Sequence, residues 1–182
     1  METTELAVPD ASTVRLRSIE RADLPLLELW DSDPVIIALM GRRFEAQRPE
    51  EWLRQVRRSR SSRAWIIELG GRPVGEVELA QINNRNHTAE IRICVGESGL
   101  WGRGIGTLAM TESLRLAFGE TGLETVYLRV FANNLRAIAL YQRMGFRKEG
   151  ILQPSERRND PAPVVLMNLS RARWQMRRSK AG

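Results

Sequence analysis

Cysteine and histidine are almost missing: Cys94 and His87 are the only ones among 182 residues. A single thiol excludes an internal disulfide and any cysteine-based metal cluster. A single imidazole, in the polar run Asn83 to His87, lacks the partners a metal site or a serine-type triad needs. We therefore read His87 as a surface residue and expect no metal. Long apolar runs are missing too, and none approaches the span of a bilayer. The first residues, Met1 to Ser12, carry Glu2, Glu5 and Asp10 where a secretory signal would be basic and then apolar. A cytoplasmic protein with no membrane partner is expected. Internal repeats and low-complexity stretches are absent, as is the Gly-Lys-Ser/Thr triplet of a Walker loop.

Basic charge, by contrast, is present in excess: 28 Lys and Arg against 22 Asp and Glu, a net of +6. It is unevenly placed. Arg42 to Arg63 holds eight Arg and three Glu, and Arg171 to Lys180 holds four Arg and one Lys. The rest of the chain is net acidic. Such segments are either a solvated helix face and a loose tail, or a lure for phosphate-rich partners such as RNA or the ribosome. The former is the commoner case, and nucleic acid is not expected as a partner.

The length suits one domain with a substantial core. We expect a flexible segment over 1–12, the domain over 13–170 and a basic tail over 171–182. Thr13 to Arg17 alternates with period two and reads as a strand. Ile19 to Leu29 reads as a helix with Leu24, Leu26, Leu27 and Trp30 on its core side, stopped by Asp31-Ser32-Asp33-Pro34. Pro49 to Arg58 reads as a second helix, with Glu50 and Glu51 at its positive end and Trp52, Leu53 and Val56 inward. Strands follow at Ala64 to Leu69, Val74 to Ile82 and Thr88 to Val95, and then a helix at Leu108 to Phe118. Glu124 to Phe131 is a strand, and Asn134 to Met144 a helix capped by Asn133 or Asn134 and closed by a left-handed Gly145. Phe146 to Ile151 and Val164 to Leu169 are the closing strands. Periodicity alone gives an α/β domain; exposed edges near the closing strands make a homodimer an option.

The chain is organised around Leu100-Trp101-Gly102-Arg103-Gly104-Ile105-Gly106-Thr107, set between a strand and a helix. Glycine lets backbone approach a ligand and adopt φ > 0. The helix that follows turns unpaired N–H groups and its positive dipole end into the loop. Together they make a phosphate cradle. A Rossmann fingerprint counted from Gly102 would need glycine where Thr107 stands. A second stretch, Asn134-Leu-Arg-Ala137-Ile-Ala-Leu-Tyr141-Gln-Arg-Met-Gly145-Phe146, stacks Asn134 and Tyr141 seven apart on one helix line, with small Ala137 between them.

The loop resembles the acyl-CoA pyrophosphate loop of the GNAT acetyltransferase superfamily, Q/R-x-x-G-x-G/A, with Gly104 and Gly106 in the glycine places. Trp101 departs from the Gln or Arg of that pattern. W-G-R/K-G-x-G-T is similar to the branch of ribosomal-protein N-terminal and spermidine acetyltransferases. The second stretch matches the family pattern N-x-x-A-x-x-x-Y-x-x-x-G-F at every place. The resemblance implies the GNAT fold, a mixed sheet with helices on both faces, and acetyl-CoA as co-substrate. It implies cofactor contacts from Ile93, Cys94 and Val95 on the strand, from Trp101 to Thr107 in the loop, and from Asn134 and Ala137.

Acetyl transfer to an amine needs a held thioester, a deprotonated amine, an oxyanion donor and an acid for the thiolate. By resemblance Tyr141 is the acid, Asn134 bonds the pantetheine arm besides capping its helix, and the backbone N–H near Val95 is the oxyanion donor. Ala89 to Val95 alternates, so Glu90, Arg92 and Cys94 share one face. The resemblance implies a base at Glu90, whereas an ion pair with Arg92 or a helix arginine is the alternative. Glu76 and Glu78 line an amine pocket or form the wet side of the sheet. Cys94 reads as a packed thiol. The expected activity is direct transfer from acetyl-CoA to a primary amine, first of all a protein N-terminal α-amine of the ribosomal-protein kind. The alternatives are a polyamine, an aminoglycoside or another amine antibiotic, or a regulatory module that binds CoA without catalysis.

Overall fold

A computed structural model of the protein describes residues 13–41, 48–154 and 162–179. The expected flexible segment 1–12 and Arg42, Arg43 and Lys180 of the basic stretches lie outside them. Seven strands form one sheet: β1 (Val14–Ser18), β2 (Arg63–Leu69), β3 (Arg72–Asn83), β4 (Thr88–Val95), β5 (Thr125–Phe131), β6 (Arg147–Leu152) and β7 (Val164–Ser170). Their order is β1-β2-β3-β4-β5-β7-β6. Only β4 and β5 pair in parallel; the other neighbours are antiparallel.

The period-two strands bury a different set of side chains on each face. One face carries Val77, Leu79, Ile91 and Leu128 against α4 (Ile105–Arg115) and Tyr141 of α5 (Leu135–Met144). The other carries Ile66 and Cys94 against Leu24, Leu27 and Trp30 of α1 (Leu24–Asp31), Ile36 of α2 (Pro34–Met40), and Trp52 and Leu53 of α3 (Pro49–Arg58). Helix α3 has the expected bounds. Its apolar stripe faces the core, and Glu50 and Glu51 sit in its first turn, where the dipole favours them. Arg57 and Arg58 in its last turn match the opposite dipole end.

Three expectations need correction. The stretch from Ile19 opens as a 3-10 turn, Arg21–Asp23, before α1 begins at Leu24. Asp23 folds back to accept from the Glu20 N–H at 2.8 Å and takes both Nη atoms of Arg17 at 2.7 Å. That arginine holds the Asp23 carboxyl below the usual carboxylate range. Pro34 does not merely stop α1; it starts α2. Asp33 caps this added helix, accepting from Val35 N–H at 2.7 Å and Ile36 N–H at 3.3 Å, and proline suits the first helical place because its missing N–H would be unpaired there. The expected basic tail is helix α6 (Arg171–Ser179) as far as it is described. Trp174 anchors it, buried against Phe118 at 5.4 Å between ring centroids, with Arg178 lying over its other part at 4.8 Å. One indole was enough to override the charge.

Because Trp174 joins the main core, Trp174→Ala should cost about 3–5 kcal/mol of stability, read as a lower denaturant midpoint. An unchanged midpoint would return α6 to the status of a tail.

Candidate active site

Strands β4 and β5 pair only from Thr88 with Thr125 to Glu90 with Tyr127, and then part. On its other side β4 stays paired: Gly96 N–H donates to the Val74 carbonyl at 2.9 Å, and Glu76 stands opposite Cys94. Backbone direction alternates along a strand, so the N–H and C=O groups of Ile91, Ile93 and Val95 turn away from β3 into the gap. Past the last bridge the Ile93 peptide groups and the Val95 N–H have no partner on β5, which leaves this row to an extended amide-bearing ligand.

The glycine loop closes one end of this row. Gly102 and Gly104 both have left-handed backbones, φ 79° and 84°, which a side chain would strain. Helix α4 begins at Ile105, three residues before its expected start. Gly106 and Thr107 therefore belong to its first turn, and their N–H groups face the loop together with the positive dipole end. At Gly106 a Cβ would lie 3.3 Å from Leu140 of α5, so this glycine sets the spacing of the two helices.

Trp101 holds the loop to the strand. Its indole N–H donates to the Val95 carbonyl at 2.8 Å, and the Arg136 guanidinium of α5 lies 4.1 Å from its ring centroid. The residue that departs from the family pattern therefore ties the loop to β4. Arg136, absent from the sequence-level expectation, brings a cation to the cradle; its only sequence signal was a position one residue before Ala137 in the second motif.

Both motifs face one cavity of about 530 Å³. Its lining includes Glu90, Ile93, Cys94 and Val95 of β4; Trp101, Gly102, Gly104, Ile105, Gly106 and Thr107; and Asn134, Ala137 and Tyr141 of α5. Arg103 is not in the lining. Ile36, Leu39 and Met40 of α2, and Arg129 and Phe131 of β5, were not expected there. Asn134 caps α5 through its Oδ1, accepting from Ala137 N–H at 3.2 Å, and its Nδ2 donates to the Leu39 carbonyl at 3.3 Å. Asn133 reaches Ala38 in the same way, also at 3.3 Å. The two asparagines thereby stitch the unforeseen α2 across the mouth of the cleft.

Tyr141 is buried, its ring packs on Phe146 at 5.7 Å, and its hydroxyl has no hydrogen-bond partner among the described residues. Burial, with the nearby Cys94 thiol adding to it, raises the phenol well above its ordinary pKa. It stays protonated at neutral pH, as a donor must.

Glu90 is held in a network of ion pairs. Its carboxylate, 2% exposed, accepts from Arg129 Nε and Nη2 at 2.9 and 2.8 Å and from Arg92 Nε and Nη2 at 3.2 and 3.3 Å. Gln81 adds a bond at 3.3 Å and is itself held by the Tyr127 hydroxyl at 3.1 Å. Gln81 sits at a bulge in β3 with φ 51°, an uncommon backbone for a non-glycine residue, and the bulge turns it onto Glu90. Although burial opposes it, the two guanidinium groups hold the Glu90 carboxyl below the ordinary carboxylate range. A base for an amine of pKa near ~10 needs the opposite shift. Of the two alternatives for Glu90, the geometry is that of the ion pair, with β5 rather than a helix supplying the second arginine. His87 lies in the β3–β4 turn, exposed and outside the cavity. No helix among the described residues is long and apolar enough to cross a membrane.

A parted parallel strand pair, a glycine-started helix beside it and a tyrosine on the neighbouring helix define a fold that binds an acyl thioester of CoA. The chain belongs to the GNAT acetyltransferase family: residues 13–147 match the model of the acetyltransferase (GNAT) domain. It is 33% identical over 150 residues to an uncharacterised protein of Methanocaldococcus jannaschii, covering 78% of this chain but only 29% of that longer one. It is 29% identical over 152 residues to the spermidine N(1)-acetyltransferase of Escherichia coli K12, covering 80% of this chain and 78% of the relative. The fold is shared with spermidine N-acetyltransferase from Vibrio cholerae in complex with CoA and spermine, with a TM-score of 0.79, 24% identity, and 90% and 99% of the two chains covered. Acetyl-CoA is the acetyl donor of this family, and the residues present fit it: left-handed glycines, the helix N-terminus, an adjacent guanidinium and the open β4 edge.

Acetyl-CoA should raise the thermal midpoint by mass action. Gly104→Asp, which puts a Cβ at φ 84° and a negative charge into the cradle, should abolish that shift; an unchanged shift would place the cofactor elsewhere. The Glu90 ion pairs make a separate expectation. A carboxyl whose folded pKa is depressed adds stability above its unfolded value near ~4.3, and that stability is lost as pH falls through the folded value. Glu90→Gln should therefore lower the midpoint at pH 7, and the difference from the parent should shrink as the pH drops below about 4. A difference independent of pH would mean that the charge of Glu90 contributes nothing.

Proposed function

We propose that the protein transfers acetyl from acetyl-CoA directly to a primary amine of a small molecule. The observation that carries this is the single cavity shared by the glycine loop, the open edge of β4 and the protonated Tyr141. The relative from Escherichia coli is named for spermidine, and the Vibrio cholerae structure was solved with CoA and spermine. They favour the small-amine alternative over a protein N-terminus of the ribosomal-protein kind.

When bound, acetyl-CoA supplies an activated acyl group as a thioester. The N–H groups of Ile105, Gly106 and Thr107 hold its pyrophosphate with help from Arg136. The peptide groups of Ile93 align the pantetheine arm, and the Val95 N–H donates to the thioester oxygen, where charge builds up. Tyr141 gives its proton to the departing sulfur. With Glu90 bound to two arginines, the amine's proton leaves through water at the Glu76 end of the cavity.

The test is release of free CoA thiol with polyamines, aminoglycosides, amino acids and N-terminal peptides as acceptors. A small amine should give the highest kcat/KM; a peptide preference would restore the N-terminal reading. Tyr141→Phe keeps the ring and removes the proton, so kcat should fall about 10²-fold or more with acetyl-CoA affinity little changed. A kcat within twofold of the parent, with chemistry rate-limiting, would remove Tyr141 from the acid role.

A further inference from the structure

The acceptor end of the cavity is not the ring of free carboxylates that a polycation calls for. Glu76, Glu78 and Glu90 share one face of β3 and β4, but two guanidinium groups are threaded among them. Both oxygens of Glu90 are taken by Arg92 and Arg129, and Arg92 Nη1 also comes within 3.9 Å of Glu78. Glu90 thus acts as a positioning residue: a buried anion that holds two cations side by side. The Arg92 and Arg129 side chains remain 40% and 41% accessible, and both line the cavity. Arg129 Nη1 makes no bond to any described residue. Glu78 and Glu76 offset part of the positive charge, but with Arg129 Nη1 unused and both guanidinium groups lining the cavity, N–H donors remain on the ligand side.

The spacing along the strand gives this charge a use. Glu76 stands opposite Cys94, whose thiol is near enough to Tyr141 to act on its phenol electrostatically. Arg92 is one same-face step away, about 7 Å at a strand rise of ~3.4 Å per residue. Arg129 is two residues beyond Tyr127, the partner of Glu90, and so lies near the same level across the gap. An acidic group beside the reacting centre and paired guanidinium groups one step further match a molecule with an amine at one end and a carboxylate at the other. We infer that the acceptor is an amino-acid-type zwitterion, its amine placed at the Glu76 end and its carboxylate received by Arg129 and Arg92. A guanidinium fork takes a carboxylate in two parallel bonds, whereas a polyamine would press its second ammonium against two like charges. This inference rests on the small-amine reading above and narrows it.

The test compares matched acceptors: α-, β- and γ-amino acids, the carboxamide of each, and spermidine, all by thiol release. The best amino acid should exceed its own amide by about 10- to 100-fold in kcat/KM, the loss of one charge-assisted contact, with the difference carried by KM. Arg129→Met should reduce that acid-over-amide ratio at least tenfold, and Arg129→Lys should keep part of it. The ratio in the parent needs no variant, so a misfolded mutant leaves the test intact. Equal rates for acids and amides, or spermidine as the best acceptor, would overturn the inference while leaving the small-amine function standing. If no small amine is turned over, that function fails, and the inference is then decided by calorimetry of the same acids and amides on the CoA-bound protein. Tighter binding of the acid would uphold it, and equal or absent binding would overturn it.

Discussion

Beyond Glu90 and Tyr127 the sheet stops pairing along its middle, and the site depends on that parting. Peptide groups inside a protein must find partners. By leaving the Ile93 peptide groups and the Val95 N–H without a partner on β5, the fold sets aside donors and an acceptor that a ligand can fill. The parting also opens the sheet from face to face. Tyr141 belongs to the α4–α5 side and Cys94 to the α1–α3 side, yet the two influence each other electrostatically.

The gap is braced at both ends. At its closed end Glu90 ties β4 to β5 through Arg129, and the bulged Gln81, fixed by Tyr127, adds a third strand to the tie. At its open end Trp101 joins the glycine loop to Val95, and Arg136 stacks on the same indole from α5. Without such braces an unpaired strand edge would zip up or pair with another chain. The arginines in these contacts, Arg92, Arg129 and Arg136, also line the cavity. Glu90 gives up basicity in exchange for this order, since a carboxylate saturated by two guanidinium groups is a weak proton acceptor.

The elements whose signal is local were legible in the sequence. The bounds of α3 and β4 were read directly, as were an asparagine cap, left open between Asn133 and Asn134, and the left-handed Gly145, because propensity, capping and period two act over a few residues. The loop and the α5 motif were legible because glycine, Asn and Tyr are demanded there by geometry that few other residues meet. Helix α2 was missed because Asp-Pro was weighed as a stop and not also as a cap and a first turn. Helix α6 was missed because nine residues with four arginines give no local sign that one tryptophan will dock.

By itself, then, the sequence determined the α/β class, the glycine loop between strand and helix, and the tyrosine seven residues beyond Asn134. Each is written in neighbouring residues and needs only local physics. Tertiary structure alone decided what Glu90 does. Alternation along β4 puts Glu90 and Arg92 on one face, but only the parallel register of β5 delivers Arg129 to the same carboxylate, from 39 residues away. A pKa is set by every charge within a few ångströms, whatever its place in the chain, so the surroundings of the Glu90 carboxylate were settled by packing.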